Sequence, residues 1–500
     1  WGDFAVQAVF AANKRGGLCE YMEVIWFMIA LYMVSMIGIG IYAARKEVKG
    51  ANDYLLAGRR LGPVMFAGTL AATEIGGGSS VGVAAKAYGS WGLSAGWYVT
   101  SAALAILLVS FVAPALRKAM ATTVPEIIGR RFGTSAYLIS SLLSIVSLIT
   151  LGGVQITATA TIVSVLLNFD FTTGILISGL VVTFYTMIGG MWSVTLTDFV
   201  QFFFILFGFA IAIPFALNNV GGWTWVVSQL PPEQLGFTKI GWETIIGLTV
   251  MYFMTFSTGQ EAVQRYYAAK DEKTAVVGSV LCGVLMALYS FVPAVLGLIA
   301  LAAFPGINPN NALATVAVQL TPPWIAGIVL AAVMSATLSS ASGDFLGAAT
   351  VFTKDIWERY VKKEMSDHEL MNFTRTTVFV CGMIGIGISL ASQAIIPMLV
   401  FAFTMRSAGP FAAFILGLIY DRATKSAGLV SVVVGSIVGG YWQYLKEPYG
   451  IMAIIAGSAA GSAAFFITTW IEQAMGRPPA PPAITEEHIS QYEKELMQNK

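Results

Sequence analysis

The chain has 500 residues, of which 56% are hydrophobic and only 11% charged, with a mean hydropathy of +0.74. That composition excludes an ordinary water-soluble domain, and a formal net charge of +1, spread between the apolar runs, gives no footing to a nucleic-acid partner. Long runs such as "LSAGWYVTSAALAILLVSFVAPAL" do not alternate in polarity, so a β-barrel is excluded and an all-α polytopic membrane protein remains.

Residues 1–21 read as an extracellular or periplasmic segment ahead of a leading span at 22–43, which ends in the basic "ARKEVKG". The run lacks a small-residue cleavage site and starts roughly twenty residues in, which marks a membrane helix rather than a removable signal. Twelve further spans are expected at 63–86, 94–115, 134–166, 172–190, 196–216, 243–263, 274–304, 322–350, 374–394, 396–420, 426–444 and 449–472. Thirteen transmembrane helices put the termini on opposite sides. Of the lysines and arginines, 22 fall in 44–62, 116–133, 264–274, 351–375, 421–426 and the tail, against Lys14, Arg15, Lys86, Lys239 and Lys446 in the alternate segments. The excess of positive charge sets the N-terminus outside and the C-terminus in the cytoplasm of a plasma-membrane protein. Residues 473–500, with "RPPAPPAITEEH", read as a solvated, mobile cytoplasmic tail.

Cys19, Cys282 and Cys381 lie far apart, the last two in apolar runs as small core residues, and suggest neither a disulfide framework nor a metal site. No phosphate-binding glycine–lysine loop and no HExxH pair occur, and His368 and His488 lie in cytoplasmic segments. ATP-driven pumping, metalloprotease chemistry and enzyme activity in general find no support in these patterns.

Three stretches carry polar groups into the apolar runs. "LAATEIGGGSS", residues 70–80, sets Glu74 before Gly76, Gly77 and Gly78. Each glycine costs a helix interior about 1 kcal/mol relative to alanine, and the freed backbone groups need a polar partner that hydrocarbon does not supply. In secondary transporters that partner is a cation or an anionic solute group; close helix packing is the plainer alternative, but packing has no use for a carboxylate. Inverted repeats interrupt corresponding helices, and five spans on "YFMTFSTGQEAVQR" breaks 243–263 with Thr255, Ser257, Thr258 and Gly259, unless this is only a frayed helix end. In "AAVMSATLSSASGDF", residues 331–345, Ala336, Ser339, Ser340 and Gly343 share a helix face, with Ser335, Thr337 and Ser342 beside them. Membrane serines commonly bond back to the i−4 carbonyl, but this density of uncharged hard oxygens suits Na+.

Together with "DYLLAGRRLG" at 53–62, "GGMWSVTLTDFVQ" at 189–201, "GQEAVQRYYAAKDEKTA" at 259–275 and "FTKDIW" at 352–357, the order and spacing of these stretches resemble the sodium/solute symporter family, that of proline, pantothenate, sialic acid and sugar cotransporters. The resemblance covers most of residues 22–440. It implies a LeuT-like fold, with 22–43 leading, two five-helix repeats of opposite topology at 63–216 and 243–420, and two trailing helices in 426–472. It also implies a sodium site built from the carbonyls of Ala72, Ile75 and Ala336 and the hydroxyls of Ser339 and Ser340. A second sodium site, present in some members, would use Asp198, Ser339 and Ser342, although Gly343 stands where those members carry serine. Asp198 equally suits a tether at the start of its span.

The solute region implied by the resemblance comprises Glu74, Gly76, Gly77, Ser79, Gln155, Phe253, Thr255 and Ser257. Thr255 replaces the gating tyrosine of the sugar transporters, which argues against a sugar. Glu74, an aspartate in proline-type members, could hold a substrate amine, a cation or Arg406, and Arg406 itself either pairs with a solute carboxylate or is structural. The expected function is sodium-coupled secondary active symport of a small organic solute by alternating access. The candidate solutes are an amino acid, a proline- or betaine-like compound, a monocarboxylate and a vitamin. Na+ is the expected coupling ion; the solute and the lipid bilayer are the expected partners, and the oligomeric state is left open, the monomer included. Proton coupling through Glu74, a channel and a transporter-like sensor are the competing readings.

Overall fold

The computed structural model describes residues 18–167, 170–392 and 395–498, so most of the expected N-terminal segment, with Lys14 and Arg15, lies outside the described residues. Among these residues the chain is helical, with one isolated parallel bridge between Leu61 and Ala269. The leading helix α1 spans Leu18–Lys46. Helix α2, Pro63–Glu74, begins on a proline that fits the first turn, where an N–H is dispensable, and stops at the glycine triad. The chain resumes as a π turn at Gly78–Gly82 and runs on to Trp91. Helices α3 (Trp97–Val109) and α4 (Ala113–Lys118), then α5 (Thr134–Leu167) and α6 (Phe171–Val220), follow.

The second run repeats the pattern. Helix α7 (Trp242–Thr258) breaks at Gly259 into α8 (Gln260–Ala268), and α9 (Glu272–Tyr289) runs on into α10 (Val292–Ala303). Then come α11 (Pro323–Val351), α12 (Asp367–Ala391), and the bent pair α13 (Ile395–Ser407) and α14 (Pro410–Ile419). Helices α15 (Lys425–Tyr444), α16 (Ala453–Ala474) and α17 (Glu486–Gln498) complete the chain. In both runs the first member is broken and the second is interrupted just before a proline, Pro114 in one and Pro293 in the other.

All thirteen expected stretches are helical over most of their length. By length and hydropathy, eight of the described helices are able to cross a membrane, or nine with the bent pair α13 and α14 as one span. The shortfall against thirteen has a physical cause. The break after Glu74 leaves the first half of 63–86 too short, and its second half joins 94–115 in one span, Gly78–Val109. The break at Gly259 shortens 243–263; 172–190 and 196–216 merge into α6, which kinks at Gly190; and α15, over 426–444, is not among the eight. Gly190 has φ 54° and ψ −142°, a conformation closed to other residues, and a side chain there would strike the Tyr54 carbonyl.

Helix α11 is the central post: 94% of its most apolar window is buried, against α1, α2, α5 and α6. Large apolar side chains such as Phe27, Val34, Phe111, Leu288 and Ile437 face outward on the surrounding helices, the arrangement a lipid-facing surface requires. Cys282 and Cys381 are buried free thiols. The tail corrects the expectation of a solvated, mobile segment. Ala480 N–H donates to the Ala423 carbonyl at 2.7 Å, and α17 docks with Tyr492 buried and Glu495 2.8 Å from Arg117. Its aromatic and acidic residues found partners on the helix ends above it.

Candidate sodium and solute site

The break in α2 brings its last turn against the middle of α11. Ile75, at φ −87° and ψ 75°, leaves the helical path. The groups freed by the break find partners: Gly77 N–H donates to Gln155 Oε1 of α5 at 3.0 Å, and Ser80 Oγ donates to the Gly76 carbonyl at 2.9 Å. Across the gap, Ser339 Oγ lies 2.8 Å from the Ala72 carbonyl oxygen and 3.2 Å from that of Ala336. Ser340 Oγ lies 2.6 Å from the Thr73 carbonyl oxygen and 3.1 Å from that of Ala336. Ala72, Ala336, Ser339 and Ser340 thus meet in one place, with the Thr73 carbonyl as an addition that sequence reasoning missed, while Ile75 is buried at the break with its N–H on the Ala71 carbonyl. Oxygens without formal charge on two separate helices make a hard, oriented cage suited to an alkali cation.

Asp198 is placed differently. Its Oδ2 accepts from Arg265 Nη2 at 2.7 Å, Thr69 Oγ1 at 2.6 Å and Thr73 Oγ1 at 3.2 Å, all buried. Arg265 also donates to the Glu261 carbonyl. The carboxylate therefore ties α6 to both broken helices, while Ser342 Oγ bonds back to the Ser339 carbonyl at 2.9 Å. The guanidinium engages Oδ2 as a tether would, while Asp198 Oδ1 is buried without a hydrogen-bond partner.

Beneath a vestibule of about 670 Å³ lies a narrow cavity of about 50 Å³. The two share Gly78, Tyr98, Leu399 and Phe403. Of the residues expected to meet solute, Glu74, Gly76, Ser79 and Gln155 line the lower cavity and Gly77 the vestibule. Phe253, Thr255 and Ser257 line neither: Ser257 Oγ bonds back to the Phe253 carbonyl at 2.6 Å, and Phe253 packs edge-on against Phe411. Helix α7 instead offers Tyr252 and Phe256, one turn apart on another face. Arg406 lines the cavity too, ion-paired with Glu261 of α8, not with Glu74. Gly259 makes room for that pair, since a Cβ there would lie 2.6 Å from Glu261 Oε1. Glu74 Oε1 is buried without a hydrogen-bond partner.

Comparison with known proteins decides the family. A model of the Sodium:solute symporter family matches residues 54–435. The chain belongs to this family. The symporter is 28% identical over 480 residues to the osmoregulated proline transporter OpuE of Bacillus subtilis, covering 89% of this chain and 94% of that one. It is 25% identical over 476 residues to sodium/glucose cotransporter 4 of Danio rerio, covering 85% and 72%. Its fold matches that of a Na+-coupled sialic acid symporter solved in a substrate-bound outward-open state, with a TM-score of 0.82 at 21% identity over 92% of this chain and 99% of that one. Mhp1, a nucleobase-cation-symport-1 family transporter, gives a TM-score of 0.57 at 15% identity over 88% and 98%.

The protein is thus a sodium-coupled symporter with Na+ as its coupling ion, embedded in a membrane as a multi-pass helical protein. Three charged residues of its centre, Glu261, Arg265 and Asp344, were not singled out from the sequence. The signal was available: each is an ionisable residue in or beside an apolar span, where an unpaired charge is expensive.

Proposed function

We propose that this symporter imports a small organic solute carrying a cationic nitrogen across the plasma membrane by alternating access. The observation that carries this reading is the unpartnered Glu74 oxygen in a cavity walled by Tyr98, Tyr252, Phe256 and Phe403. A carboxylate among aromatic faces is the usual chemistry for an ammonium group. Arg406 in the same lining is ion-paired with Glu261 through Nη1, while its Nε stays without a hydrogen-bond partner.

Na+ would sit at the α2 break, held by the Ala72, Ile75 and Ala336 carbonyls and the Ser339 and Ser340 hydroxyls, next to the cavity that Ser340 also lines. Residues 63–216 and 243–420 would form the two repeats, with 22–43 leading and 426–472 trailing; the matching breaks and interruptions support that division. The vestibule is lined by Lys86, Trp91, Pro309 and Glu447, from segments that the lysine and arginine asymmetry puts outside. An N-terminus outside, a C-terminus in the cytoplasm and an outward-open state follow. At the other end, the Leu61–Ala269 bridge and the buried Arg59 and Arg117 close the path.

The test is thermal unfolding of the purified protein with amines, sugars and carboxylates, each in sodium and in potassium chloride. An amine that stabilises only in sodium is the expected result, with the effect lost in Glu74→Gln. Stabilisation by a sugar or a carboxylate alone would refute the reading.

A further inference from the structure

The docked tail begins with a helix start that only a neutral histidine can make. Thr485 caps α17, its carbonyl accepting the first helical bond from Ile489 N–H at 3.2 Å. Three residues on, His488 Nδ1 accepts from the Thr485 N–H at 3.1 Å and lies 2.7 Å from Thr485 Oγ1. Capping boxes normally put a glutamate or glutamine in that place, as Glu369 does for Ser366 at the start of α12. A backbone N–H can only donate, so Nδ1 offers it a lone pair and the ring carries its one proton on Nε2. An imidazolium has no lone pair left, and the cap is lost with the second proton.

The surroundings also oppose that proton. Arg130, on the helix Val124–Phe132, faces His488 with its guanidinium fixed by the Ala119 carbonyl and Glu126 Oε1, both at 2.6 Å. The carboxylates that favour the charged ring are Glu487 on α17 and Glu126, whose oxygens are already engaged by Arg130 and by the Thr122 N–H at 2.9 Å. Burial first, and the Arg130 charge after it, hold the imidazole below its ordinary value. A positive charge in the first turn of α17 also meets the positive end of the helix dipole. Because the proton binds more readily once the tail is free, docking is fully supported above the ordinary value of about 6.5 and weakens as the pH falls below it, by at most about tenfold per unit.

We propose that His488 is a pH-sensitive latch, whose protonation opens the cap of α17 and frees the tail from Arg117. The link runs along one face of one short helix, since His488, Tyr492 and Glu495 stand at i, i+4 and i+7. The Tyr492 hydroxyl accepts from the Glu272 N–H at 3.2 Å, its ring lies 5.0 Å from the Arg117 guanidinium, and Glu495 holds that guanidinium at 2.8 Å. Acid at this end of the molecule thereby loosens the closure to which Arg117 belongs. This step rests on the reading above that the closed end faces the cytoplasm, and it makes transport responsive to the pH of the compartment into which the solute is released.

A nitroxide on the exposed Ser490→Cys, in the full chain with its three native cysteines replaced, reports docking through its electron paramagnetic resonance lineshape in detergent. Between about pH 8 and about pH 5.5 the ratio of mobile to immobile signal should rise, by up to about tenfold per unit below about pH 6.5. His488→Gln keeps an acceptor that gains no proton and should stay docked throughout. His488→Arg, a donor with a fixed charge, should be mobile already at the high end of the range. A parent lineshape that ignores pH, an equal pH response in His488→Gln, or a docked tail in His488→Arg would each overturn the proposal. Detergent exposes both faces to one pH and no solute is added, so a failure here leaves the amine reading and the orientation untouched.

Discussion

Ser340 would touch both ligands of the proposed transport cycle. Its hydroxyl reaches the Thr73 carbonyl across the gap and the Ala336 carbonyl of its own helix, and it borders the lower cavity. Ser340→Ala removes one oxygen from the proposed cage, an expected loss of about 1.5 kcal/mol or roughly tenfold in sodium affinity. Because coupling is reciprocal, solute affinity at fixed sodium should fall with it. Titrations of both ligands check this, and an unchanged solute affinity at every sodium concentration would sink it. The buried pair of Arg406 and Glu261 behaves differently. Arg406→Gln strands a buried carboxylate and should cost about 3 kcal/mol of stability, whereas the double variant with Glu261→Gln should recover most of it in thermal unfolding. From the sequence, Arg406 was legible as a charge needing a partner, but not which partner. Glu261 lies 145 residues away and meets it only in the folded chain, across two separate helices, which no local pattern encodes. The serines of α11 were legible because their spacing sits within one helix.

At the scale of the element, the glycine triad is a matter of close approach. Gly76 and Gly77 have ordinary backbone angles, but a Cβ on Gly76 would lie 2.8 Å from Gln155 Nε2 and 2.9 Å from Ser340 Oγ. Gly76→Ala should therefore push Gln155 or Ser340 aside, costing about 2 kcal/mol by overpacking and weakening sodium-dependent stabilisation. Gly82→Ala, whose nearest neighbour would be 3.7 Å away, is the control and should leave it unchanged. A loss in both, or in neither, would detach the triad from the cation site. The first break was legible because three glycines in an apolar run have few other uses. The second was placed at the right glycine but given the wrong face, since Thr255 and Ser257 look polar in sequence while the cavity takes the aromatic face of Tyr252 and Phe256. The kink at Gly190 and the interruptions before Pro114 and Pro293 were not read, because isolated Gly and Pro are common in membrane helices.

At the scale of the whole molecule, an open vestibule at one end requires a closed path at the other, and the docked tail belongs to that closure. Arg117, fully buried, donates to the Ala269 carbonyl at 2.5 Å and to Glu495 at 2.8 Å. Arg59 donates to the Tyr267 and Ala121 carbonyls, both at 3.0 Å, with Glu495 4.0 Å away. These arginines clamp the end of α8 to the start of the chain's first run. Burial, with the neighbouring Arg117 charge as the lesser cause, pushes the Arg59 guanidinium down to about 10. Glu495 opposes this first and Glu126 after it, so loss of Glu495 removes the larger of the two counter-charges between two buried like charges. Glu495→Gln should shift the equilibrium toward opening on this side by about 1.5 kcal/mol, roughly tenfold. Ala121→Cys, in a background lacking the three native cysteines, reports on it through the rate of maleimide labelling. Faster labelling with Glu495→Gln, suppressed again by saturating sodium, is the expected outcome. Labelling that stays at the rate of the Glu495 parent would mean that α17 rests on a closure already complete without it, and that the arginines are balanced by backbone carbonyls alone.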